Sequence, residues 1–175
     1  NPALRAIVMS DDDPVARANA VRALGAAEDK ESVNMLIDAA AEDDDSRVRV
    51  SAIRALASLK DPFAVEKLLD HGELLLSAYK KGKKPNFDPA EKSELLEVAT
   101  TLGRLVPKTN DARTIKFLTA LGTADNYRSP ETELAFARVA PVSYVANIRA
   151  IVERQGYAFA TSSGKNPSTN WQVNA

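Results

Sequence analysis

The sequence predicts an all-α fold, an α-α superhelix of about four stacked helical hairpins, on three observations. Its apolar residues recur at spacings of three and four, which one face of a helix satisfies and a strand, whose side chains alternate between faces, does not. One stretch repeats itself between residues 13 and 45, a shift of 32. Finally, Asp13, Asp61 and Ser129 each precede a proline, the pairing of a capping side chain with a first helical residue.

Residues 1–10 read as a partial helix preceding the first complete hairpin. It opens on Asn1 with neither an initiator Met nor a signal peptide, so the chain is expected to be a fragment of a larger protein. The first hairpin, 14–42, starts behind Asp13 and carries Val33, Leu36, Ile37, Ala40 and Ala41 on one face of its second helix. The second, 47–80, carries Val65, Leu68, Leu69, Gly72, Leu75, Leu76 and Tyr79 in the same way. Gly72 costs about 1 kcal/mol relative to alanine in mid-helix, so close packing is expected there. The third hairpin, 90–121, keeps Leu95, Val98, Ala99, Leu102 and Leu105, and the fourth, 130–155, keeps Leu134, Val139, Val145, Ile148 and Val152. Gly25 and Gly122 follow apolar runs and are expected to end helices in the left-handed conformation. The array spans 1–156; residues 157–175 lack a helical period and form a polar tail or linker.

The shift of 32 places Asp13 on Asp45, Arg17 on Arg49, Ala20 on Ala52 and Val21 on Ile53, then Arg22 on Arg54, Ala23 on Ala55, Leu24 on Leu56 and Gly25 on Ala57. Such a period is that of a solenoid in which no unit buries its own apolar face alone. The stretch D-x-x-x-R-x-x-A-[VI]-R-A-L-[GA] resembles the first helix of HEAT repeats, especially the bacterial type similar to phycobilisome lyase repeats. The resemblance is specific over residues 11–70 and weaker to 155, where Leu95 replaces the arginine of the motif. It implies a structural ladder of Asp13, Arg17, Asp45 and Arg49 between neighbouring repeats, favoured over ligand binding because a half-buried guanidinium needs several fixed acceptors. Arg22, Arg47 and Arg54 are expected as exposed helix charges.

Composition narrows the chemistry. With 23 basic and 24 acidic residues the chain has no overall field to collect nucleic acid or anionic lipid. Without cysteine there is no disulfide, thiolate nucleophile or thiolate metal site. No stretch approaches the roughly 20 apolar residues of a membrane span, so membrane insertion is not expected; cytoplasm and periplasm both stay open.

Outside the ladder, each candidate has a plain and a sharp reading. The runs Asp11 to Asp13 and Glu42 to Asp45 read as caps and solvated charge rather than a cation site, since neither has the spacing and glycine of a calcium loop. Lys80, Lys81, Lys83 and Lys84 form a basic loop without interleaved aromatics, solvated rather than bound to phosphates, and residues 80–88 are expected to be cut first by trypsin. His71, the single histidine, reads as a surface or rim residue rather than a metal ligand. Trp171 reads as an anchor for its own tail rather than a stacking platform.

No catalytic constellation, cofactor or metal site is therefore expected. A stacked array presents its second helices as a concave surface suited to a peptide or another protein's helix. Its outward residues include Asn34, Asp38, Glu66, Asp70, Lys116 and Asn147, acidic in the first half and more basic in the second. The expected function is a protein-interaction scaffold whose partner offers a basic segment. The alternatives are an accessory domain beside a catalytic one, or a HEAT-like nucleic-acid enzyme, which the scarcity of basic and aromatic residues disfavours.

Overall fold

The computed structural model describes residues 1–81, 89–124, 129–146 and 149. Among them there is no strand, and the helices follow in the order α1 (Pro2–Ser10), α2 (Pro14–Ala26), α3 (Val33–Glu42), α4 (Ser46–Leu59), α5 (Pro62–Lys81), α6 (Pro89–Leu105), α7 (Ala112–Ala124) and α8 (Pro130–Val139). A short 3-10 turn, Lys30–Ser32, leads into α3. The expected tail at 157–175, its boundary at 156, Asn147, Ile148, Val152, Lys83, Lys84 and Trp171 lie outside the described residues.

The chain divides into two units, Asn1–Ala140 and Pro141–Ala175. In the second, residues 141–146 are helical, and Val142 and Val145 are exposed. The first is the solenoid. Helices α2, α4, α6 and α8 pack on one another in succession as a first row, while α3, α5 and α7 do so as a second. The rows are joined because α1 packs on α2, α3 on α4, α5 on α6 and α7 on α8.

The core between the rows is continuous. Val21 and Leu24 of α2, Leu36 of α3, Ile53, Leu56 and Leu59 of α4, Leu68 and Leu69 of α5, and Leu95, Val98 and Leu102 of α6 are buried in one cluster, and Phe117, Leu118 and Leu121 of α7 extend it. Each such side chain contributes about 1.5–3 kcal/mol on burial, far beyond the helix propensity of any one element. Stacking, not local preference, holds these helices.

Small residues set the spacing of the first row. A Cβ on Gly25 would lie 2.7 Å from the Ala55 Cβ, and one on Gly103 would lie 2.8 Å from the Ala135 Cα, so α2 meets α4, and α6 meets α8, almost backbone to backbone. Between α4 and α6, the Thr101 hydroxyl donates to the Ile53 carbonyl at 3.2 Å. Gly25 thus serves packing and not termination: it lies inside α2, and the left-handed residue that follows the helix is Glu28. Gly122 likewise lies inside α7, where a Cβ would make only an ordinary contact with Thr132 at 3.8 Å. Gly72 is close-packed as its position suggests, a Cβ there meeting the Phe117 ring at 2.9 Å. In α8 the expected core residue Leu134 is exposed, and its neighbour Ala135 takes the inward position against Gly103.

Candidate protein-interaction face

Arg17 and Arg49 occupy equivalent places on α2 and α4, and their guanidinium groups repeat one geometry. The Nη1 of Arg17 donates to the carbonyls of Asp11 at 2.9 Å and Asp12 at 3.4 Å; that of Arg49 donates to Asp43 at 2.7 Å and Asp44 at 3.1 Å. Each arginine thereby ties down the turn before its own helix. The remaining two nitrogens form a parallel pair with a carboxylate further along the array: Asp43 for Arg17, at 3.0 and 2.9 Å, and Glu94 for Arg49, at 3.0 and 3.0 Å. Such two-point pairs fix orientation as well as charge.

The aspartates expected in the ladder do something else. Asp13 and Asp45 are the N-caps of α2 and α4, accepting from the backbone N–H of Val15 at 2.9 Å and Arg47 at 2.8 Å. A side chain spent on its own helix's first turn points along the chain and not across the repeat. The true acceptor of Arg17, Asp43, belongs to an acidic run read as solvated, and it also accepts from the Asp45 N–H at 2.9 Å. A third pair, Arg5 with Asp29, precedes these, with Ser32 also accepting from Arg5.

Glu94 was not a candidate, although it stands on the apolar stripe it shares with Val98 and Thr101, where a carboxylate is out of place. Its side chain is 2% exposed. Burial pushes its carboxyl up, but hydrogen bonds from His71 and Arg49, with the charge of Arg49, outweigh burial and hold it below the usual carboxylate range. The His71 Nε2 lies 2.8 Å from Glu94 Oε1, and since an ionised carboxylate only accepts, that nitrogen must carry a proton. His71, expected as a surface or rim residue, is a half-buried bridge from α5 to α6.

Elsewhere the second row is open. Asn34 and Asp38 on α3, Glu66 and Asp70 on α5, and Lys116 on α7 are all exposed. The structure brings Glu66 and Asp70 together with Glu73 around Arg113 of α7, whose guanidinium meets them at 2.6, 2.7 and 2.9 Å. These acids fall on one stripe of α5, legible at spacings of four and three; the arginine that gathers them, 40 to 47 residues later, is not. Their hydrogen bonds hold Arg113 above its ordinary value. Lys80 and Lys81 end α5 and are exposed. Arg47 and Arg54, expected as exposed helix charges, are exposed on α4, where Arg54 pairs with Glu97 at 2.6 Å and Arg47 with Asp45 at 2.7 Å.

Among the described residues no group of histidines and carboxylates is placed to hold a metal ion, and no helix is long and apolar enough to cross a membrane. Residues 1–73, from α1 into α5, match the family described as HEAT repeats. A comparison with curated proteins returned no match.

Proposed function

We propose that this chain, whose first 73 residues match the HEAT-repeat family, is a protein-interaction scaffold that receives a basic segment of a protein partner on the second-row face of α3 and α5. One observation carries the reading. The ladder arginines are consumed within the fold, whereas Asp38, Glu66, Asp70 and Glu73 stay at the surface with Arg113 shared among three of them. Carboxylates therefore outnumber cations on this face, a local field that favours a cationic partner over a phosphate backbone. The reading assigns no catalysis to the chain. The likeness to the bacterial, phycobilisome lyase type of repeat rests on the motif shared by α2 and α4 and belongs to this proposal.

A photo-crosslinking side chain placed at Asn34 or Asp38 in cells is expected to capture one defined protein, and the paired change Asp38→Lys with Asp70→Lys to abolish the capture. Crosslinks arising only from a control position on the first row, such as Arg22, would refute the reading.

A further inference from the structure

Between α3 and α5 lies a shallow depression floored by Ile37, Ala40, Leu56 and Leu68 and walled by Lys67 and His71. Phe63 and Leu74 stand on α5 with 53% and 72% of their surface exposed. Single exposed apolar residues need no explanation. These two share a helix face with Lys67 and Asp70, at successive spacings of four, three and four, and their eleven-residue separation places them about 16 Å apart, three helical turns. The Lys67 ammonium lies 5.8 Å from the Phe63 ring, joining one apolar anchor to the charged middle of the strip. Asp38 is exposed on the neighbouring α3, and Glu66 and Glu73 pair with Arg113 of α7.

We infer that this face docks a basic amphipathic helix, with two apolar side chains three turns apart seated on Phe63 and Leu74. Lysines or arginines of that helix reach Asp38, Asp70 and Glu66. The inference rests on the scaffold reading above and deepens it by naming the partner's shape. A helix lying along α5 has the same rise per residue, so its own apolar stripe meets the anchors in register; an extended segment, alternating every two residues, cannot. The excess of carboxylates fixes the sign of the flanking charges.

The test is fluorescence anisotropy of the intact chain with labelled synthetic peptides of about 18 residues at about 0.15 M salt. One peptide carries leucine and lysine at helical spacing, a second the same composition in strict alternation, and a third leucine and glutamate at helical spacing. The first is expected to bind about tenfold more tightly than the second, and the third not at all. Phe63→Ser with Leu74→Ser should weaken the first about tenfold with an unchanged melting temperature, while Met9→Ser, at a residue 77% exposed on α1, should leave it unchanged. If the alternating peptide binds equally well and only Asp38→Lys with Asp70→Lys abolishes binding, charge alone recruits the partner; the helix inference then falls while the scaffold reading stands. If none of these substitutions alters binding, both fall.

Discussion

Arg49 on α4 and Glu94 on α6, 45 residues apart, meet through two hydrogen bonds of 3.0 Å with the carboxylate almost wholly buried. Arg49 also holds the turn before its own helix, so a single side chain joins one repeat's entry to the next repeat's core. Glu94 in turn reaches His71, and three helices share one charge network.

Removing one partner from such a network leaves a buried charge uncompensated. Arg49→Ala should cost about 3 kcal/mol and, since stacked repeats are coupled to their neighbours, lower the melting temperature of the whole array. Adding Glu94→Gln to Arg49→Ala should restore part of the loss. An Arg49→Ala protein that melts like the parent would place the energy of this junction elsewhere.

The capping aspartates should behave differently. Asp13→Ala should cost about 1 kcal/mol through α2 alone, and Asp13→Asn much less, because an amide oxygen still accepts from Val15. A chemical denaturation series on the three proteins separates a cap from a ladder residue: a ladder role would make the Asn change as harmful as Ala.

Acid should weaken the fold in a defined window. Hydrogen bonds from Arg5 and Ser32 lower Asp29 to about 2; Asp43 and Glu94 are also held low, their arginine partners outweighing burial. A carboxyl lowered in the folded state contributes stability that is complete above its unfolded value of about 4 and disappears as pH falls through the folded value. Urea midpoints should therefore be flat from neutral pH to about pH 5 and drop steeply between about pH 4 and pH 2. A drop beginning near neutrality would point to a different group.

Two glycines should respond oppositely to alanine. Gly103→Ala drives a Cβ to 2.8 Å from the Ala135 Cα and must push α6 from α8, a loss of about 1–3 kcal/mol. Gly122→Ala has its nearest contact at 3.8 Å inside α7 and should gain about 0.5 kcal/mol from helix propensity. Thermal melts of the two variants decide whether the first row is set by backbone approach.

On the second row, Arg113→Ala should alter stability by less than about 1 kcal/mol, since its pairs lie at the surface, yet it uncovers Glu66, Asp70 and Glu73 together. The leucine and lysine peptide should then bind more tightly, with a steeper dependence on salt. Weaker binding would mean that Arg113 itself contacts the partner.

The sequence by itself determined the helices, the rows they would form and which arginines repeat. Those features are local: apolar spacing is fixed within 3.6 residues per turn, and a cap such as Asp13 acts on the turn beside it. What the arginines hold was decided only by the tertiary structure. The spacing from Arg17 to Arg49 is 32 residues, but the next first helix comes later, with Leu95 where the arginine would stand; the acceptor of Arg49 is not a turn aspartate but Glu94 on the helix itself. Arg113 with its three carboxylates, the His71 bridge and the role of Gly25 depend likewise on which turns of distant helices come into contact. That registry depends on how closely neighbouring helices approach, as at Gly25 and Gly103 within the first row, and no periodicity along one helix contains it.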